Sequence, residues 1–168
     1  LRGHVLVLTG CRKGLVPRAL LTDGVAAAAR ELRRLTDMFG EEHVAVELTD
    51  HADPCDGERN DDLAALAAKA GLPIVATNNV HYAAPADAPL AQVLAAVRAR
   101  SSLDDMTGWL PANGTAHLRS GTEMAARLAR FPGVREATVA LARECVFDFR
   151  VVAPDLPDRA VGEGHTDA

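Results

Sequence analysis

Two rhythms of apolar residues alternate along the chain. Short runs rich in β-branched residues and leucine stand at His4–Thr9, His43–Leu48 and Pro73–Ala76, each followed by glycine or polar residues. Such runs suit buried strands. Between them, apolar positions recur every three or four residues. Val25, Ala28, Ala29, Leu32, Leu35 and Met38 predict a helix from Val16 to Gly40, with Pro17 fitted to its first turn and Asp23 to a later cap. Leu63, Leu66 and Ala67 predict a second helix from Glu58 to Ala70, capped at Asn60 or Asp61. A strand-helix-strand-helix-strand order calls for parallel strands with right-handed crossovers, so the fold class is α/β with flanking helices. Three more helices follow. One spans Leu90 to Arg100 with Val93, Leu94 and Val97 turned inward; one opens on the Ser120/Glu123 capping box and runs to Phe131; one spans Gly133 to Cys145. From Val151, Pro154, Pro157, Gly162 and Gly164 give the composition of a linker, which divides the chain into a domain at 1–150 and a linker at 151–168.

The 168 residues suffice for one domain with a sizeable core, and a hydrophobic content of 48% excludes a disordered chain. The net charge of -5 argues against a major DNA-holding face, because phosphate contacts need clustered Lys and Arg. The three cysteines, Cys11, Cys55 and Cys145, are odd in number and widely spaced. They suggest neither a disulfide framework nor a zinc knuckle, and a reducing cytoplasm suits them. No apolar run reaches membrane-spanning length, so no membrane partner is expected.

Candidate chemistry gathers where the strand-like runs end, which is where α/β folds build their sites. The run at Leu72–Ala76 passes into Thr77-Asn78-Asn79-Val80-His81-Tyr82. On an extended segment Asn79 and His81 would point the same way and could converge on one ion. A lone Asn-x-His at a strand end is more often a hydrogen-bonded turn. Cys11 follows the first run directly; taken alone it suits a buried small hydrophobe. Glu47, Asp50 and His51 cluster at the end of the second run, where Asp50 suits structural hydrogen bonding. Arg12 and Lys13 read as a solvated turn, Arg98 and Arg100 as a helix end favoured by its dipole, Trp109 as a packing residue and His117 as structural.

Five segments occur in one order: Val5-Leu-Val-Leu-Thr-Gly-Cys-Arg-Lys-Gly14, Val46-Glu-Leu-Thr-Asp-His51, Ala76-Thr-Asn-Asn-Val-His-Tyr82, Gly108-Trp-Leu-Pro-Ala112 and Ala116-His-Leu-Arg-Ser120. As an ordered set they resemble the PHP (polymerase and histidinol phosphatase) domain of the bacterial C-family DNA polymerases. The Asn-Asn-Val-His form, the Arg98-Ala-Arg-Ser-Ser-Leu-Asp-Asp-Met106 run and the Gly-Trp-Leu-Pro run most resemble the error-prone, polymerase III alpha-subunit-like branch used in translesion repair.

The resemblance implies a distorted (β/α) barrel of which this chain is the C-terminal part. The His-x-His signature that opens such domains is absent from it, and the polymerase core would lie beyond Ala168. DNA and dNTPs would then be partners through that core, with the core itself a partner in cis, in a cytoplasmic protein that this piece alone could not make polymerise. Carried over by position, the metal ligands are Cys11, Asn79 and His81, with Glu47, His51 and Asn78 as rim residues that orient them. The cofactors implied are divalent ions, zinc, manganese or magnesium, and active relatives hydrolyse phosphoesters. Asn79 stands where many relatives have Asp, and a neutral carbonyl in place of a carboxylate is expected to weaken metal affinity or hydrolysis. Two alternatives stay open: a stand-alone metal-dependent phosphoesterase or 3′-5′ exonuclease, and a non-catalytic structural module.

Overall fold

The computed structural model describes residues 4–110 and 114–148. Strands β1 (Val7–Leu8), β2 (Val44–Leu48) and β3 (Ile74–Ala76) form a parallel sheet in that order, with Val7 opposite Val44 and Val46 opposite Ile74. All five residues of β2 are buried, as expected of a central parallel strand covered on both faces. β1 is shorter than the apolar run at His4–Thr9 suggested, and only half-buried.

Helices α1 (Leu15–Asp23), α2 (Val25–Phe39) and α3 (Asp56–Ala70) supply the crossovers. The core joins Val16 and Leu20 of α1, Leu32 and Leu35 of α2, Val46 and Leu48 of β2, and Leu63 and Leu66 of α3, with Leu128, Phe131 and Val134 packed against them. The single helix expected over 16–40 is broken at Gly24, whose φ of 80° and ψ of -179° no helix accommodates. Pro17 lies within the first turn of α1, where its missing N–H removes no helical bond.

α3 starts at Asp56, so Asn60 and Asp61 are inside the helix and are not its caps. The buried Asp56 carboxylate accepts from the N–H groups of His51 (2.6 Å) and Asp53 (3.1 Å) and from the Arg59 guanidinium (2.5 Å). Asn60 instead donates to the Thr49 carbonyl at 3.0 Å. The turn ahead of the helix thus folds onto a side chain from the helix's own first turn.

Beyond the sheet come α4 (Ala88–Ala99), α5 (Gly121–Arg127) and α6 (Val134–Glu144). α4 contradicts the expected orientation: Ala88 and Ala96 are its buried residues, while Val93, Leu94 and Val97 are exposed. Its small side chains rest on the domain and its large ones face away. The Ser120/Glu123 capping box opens α5 as expected, but the helix ends at Arg127 and buried Phe131 lies past its end. α6 packs along β3, and the Thr138 hydroxyl accepts from the Ala76 N–H at 2.8 Å, which occupies a donor on the strand's outer edge. The linker expected at 151–168 lies outside the described residues. Among the described residues no helix is long and apolar enough to cross a membrane.

Candidate functional site

The carboxyl ends of all three strands open toward one cleft of about 920 Å³, whose lining includes Cys11, Lys13, His51, Asn79, His81 and Arg98. The first of its walls is a glycine-dependent turn. Gly10 has φ +87°, and a Cβ on Gly14 would come within 2.4 Å of the Thr9 carbonyl oxygen. With Gly14 N–H bonded to the Cys11 carbonyl at 2.6 Å, the chain reverses tightly enough to present Cys11, half-buried, beside Arg12 and Lys13.

Those two cations stand on a largely exposed turn, as expected, but each has a partner there. Arg12 donates to the carbonyls of Gly108 (3.0 Å) and Trp109 (2.6 Å), and the Lys13 ammonium sits 3.6 Å from the centre of the Trp109 ring. Trp109, 57% exposed, is therefore a cation-stacked residue on the cleft wall and not a core residue. Burial, and then the charge of Arg12, lowers the pKa of Lys13. The order of residues gave no signal for this contact, which joins segments about a hundred residues apart.

A web of bonds to carbonyls shapes the loop after β3. Thr77 N–H bonds to the Leu48 carbonyl at 3.1 Å, and its hydroxyl donates to the Glu47 carboxylate. The buried Asn78 amide donates to the carbonyls of Thr115 (2.9 Å) and His117 (2.6 Å), and His81 N–H to that of Ala116 (2.8 Å). His51 Nε2 lies 2.7 Å from the Asn78 carbonyl oxygen. A carbonyl can only accept, so Nε2 carries the proton of this bond. Glu47 and Asn78 do not line the cleft; they hold the strand ends that do. Asp50 has the structural part expected of it, accepting from Ala52 N–H at 2.8 Å and Arg127 at 3.0 Å.

Asn79 has φ 41°, in the left-handed region, so the segment is not extended and the two-apart argument for Asn79 and His81 does not apply. Both reach the cleft through the loop's curvature instead. His81 has its pKa lowered by burial first and then by His51, Lys13 and Arg98, which keeps the imidazole neutral and able to donate its lone pair. Cys11, Asn79 and His81 thus share one cavity. Among the described residues, however, no three His, Cys, Asp or Glu side chains stand together as a metal-holding group. The thiol, amide oxygen and imidazole are chemically suited to a divalent ion, but they lack a carboxylate to complete a set. The cleft lining carries Arg12, Lys13, Arg59 and Arg98 against Asp53, Asp56 and Asp105, so cations only slightly outnumber carboxylates there.

No family model matches the chain. Relatives do. The chain matches error-prone DNA polymerases along almost its entire length. It is 50% identical over 169 residues to the error-prone DNA polymerase of Nocardia farcinica, covering 97% of this chain and 15% of that protein. With the enzyme of the same name from Cutibacterium acnes it shares 51% over 164 residues, 98% of this chain and 14% of that protein. A DNA polymerase III subunit alpha from Thermus aquaticus is 30% identical over 177 residues, spanning all of this chain and 14% of its own length. The chain therefore spans only about 15% of the length of the curated relatives it matches.

Proposed function

We propose that this chain is the PHP-type module of an error-prone DNA polymerase acting in DNA repair and translesion synthesis. The observation that carries the proposal is the 50% identity to an error-prone DNA polymerase over 97% of the chain. The three parallel strands then form part of a distorted (β/α) barrel. DNA and dNTPs are partners of the polymerase core, to which this module belongs in cis.

Within the module, Cys11, Asn79 and His81 are the residues that would hold a divalent ion, and such an ion would supply Lewis-acid polarisation of a phosphoester. Lys13 and Arg98 bring a phosphate to the cleft and neutralise its charge, while His51 and Asn78 fix the loop that carries Asn79 and His81. With an amide at position 79 and, among the described residues, no carboxylate grouped with Cys11 and His81, the site is a weak one, and the module's main work is to support the core.

Metal content, 3′-5′ nuclease activity and template-directed synthesis, measured together on the intact parent, test this reading. Wild type should synthesise DNA, bind little metal and cleave 3′ ends slowly, and Asn79→Asp should gain occupancy. Metal-dependent cleavage in wild type that vanishes in His81→Ala would make the cleft a working nuclease, and absence of templated synthesis would sink the polymerase assignment.

A further inference from the structure

α4 is built for burial on two sides and, among the described residues, has it on one. Leu90, Val93, Leu94 and Val97 recur at the spacing of one helical face and are 62%, 44%, 59% and 68% exposed. The opposite side meets the domain through Ala88 and Ala96. A surface helix of a monomeric domain turns its large apolar residues inward and its small or polar ones out; α4 does the reverse. Nor is polarity available to solvate the ridge, because between Ala88 and Ala99 only Gln92 and Arg98 are polar. The apolar surface continues past the helix, since Leu94 lines the cleft together with Ala91 and Trp109.

We infer that the α4 ridge is the seat of an apolar segment from the remainder of the polymerase polypeptide, docked in cis. This rests on the reading of the chain as a polymerase module. One observation and one principle select that occupant over a second copy of the chain. The relatives are longer than the matched region by a wide margin, the chain spanning about 15% of them, so most of the available partner surface belongs to the same polypeptide. A segment tethered in this way has an effective concentration in the millimolar range, far above that of a free second molecule. The four side chains form a knob row suited to a helix or strand with complementary apolar holes.

Thiol labelling of the intact parent tests the inference. Leu94→Cys and Val97→Cys, mild enough to preserve the fold, are followed by mass spectrometry of the α4 peptide in native and in denatured protein. Both cysteines should label more than about tenfold more slowly in the native parent, whatever the protein concentration. In the same parent, Leu94→Asp with Val97→Asp should shorten the half-life of DNA synthesis on heating severalfold. Native labelling as fast as denatured labelling overturns the inference, and protection that disappears on dilution overturns it in favour of a second copy. Templated synthesis is scored separately: its absence from the wild-type parent would defeat the polymerase assignment, whereas exposed cysteines in an active polymerase defeat only the docking surface.

Discussion

α2 lays Ala28, Leu32 and Leu35 into the core and holds Arg30, Arg33 and Arg34 in water, whereas α4 sets Ala88 and Ala96 against the domain and leaves Leu90, Val93, Leu94 and Val97 outside. Both sequences have apolar residues at helical spacing. The difference is that α2 carries a charged face opposite its apolar one, and α4 does not. Charge on one face excludes that face from the core, so the orientation of α2 is determined by its own residues. α4, with alanines on one side and larger apolar groups on the other, is free to present either, and the neighbours available decide. Spacing thus says which residues share a face; only the polar complement says which face is inside.

The region around β2 should therefore be far less tolerant of change than the region around α4. The largest effect is expected from Asp56→Ala. It strips the acceptor from two backbone N–H groups and leaves Arg59, paired at 2.5 Å and 6% exposed, as a buried cation whose remaining acceptor among the described residues is the Thr49 carbonyl. Breaking one side of a buried pair costs about 3–5 kcal/mol, which the urea midpoint of the chain would report. A wild-type midpoint in Asp56→Ala would mean that the turn at 51–56 is not tied to the core.

A pair of leucines puts the comparison directly. Leu48 is fully buried at the end of β2, so Leu48→Ala should cost about 2–5 kcal/mol through lost contacts and a residual cavity. Leu94→Ala in this chain should stay within about 0.5 kcal/mol, as for other exposed positions. Equal losses in the two variants would show that α4 is packed against something in the chain itself, and the contrast with α2 would fail.

The sequence made the scaffold legible wherever one signal sufficed. The buried run at 44–48, the helix end at Ala70 and the Ser120/Glu123 box each carry their own local chemistry, and each stands where the pattern put it. The break at Gly24 went unread because the apolar period continues across it, and periodicity does not register one residue of positive φ. At the site, the residues Cys11, His51, Asn79 and His81 were legible as polar groups after strand-like runs, and the cleft does collect them. Asn79 and His81 converge for a different reason from the one their spacing suggests, because the left-handed Asn79 breaks the extended backbone that a two-apart pair requires. The Lys13–Trp109 stack and the Arg12 bonds to the 108–109 carbonyls were invisible, since nothing in a linear pattern pairs positions so far apart.

A smaller loss than those of the buried core is expected at the α5 cap, and pH isolates it. Hydrogen bonds from the Ser120 N–H and hydroxyl, both 2.8 Å, hold the Glu123 carboxyl below its ordinary value of 4.5, with weaker help from His117 and Arg119. Because the folded pKa is the lower one, the unfolded chain binds more protons between the two values, and stability rises with pH across that window. The contribution is fully present above 4.5 and is lost as pH falls through the folded pKa. Ser120→Ala should therefore cost about 1 kcal/mol near neutrality and less in acid, where protonated Glu123 no longer answers the cap. Glu123→Gln should flatten the acid limb of the stability curve while leaving the Ser120 hydroxyl bound to the Glu123 position's N–H, now 3.2 Å away. A Ser120→Ala penalty that is the same at pH 3 and pH 7 would show that the hydroxyl acts on the backbone alone and that the acid's part in the box is negligible.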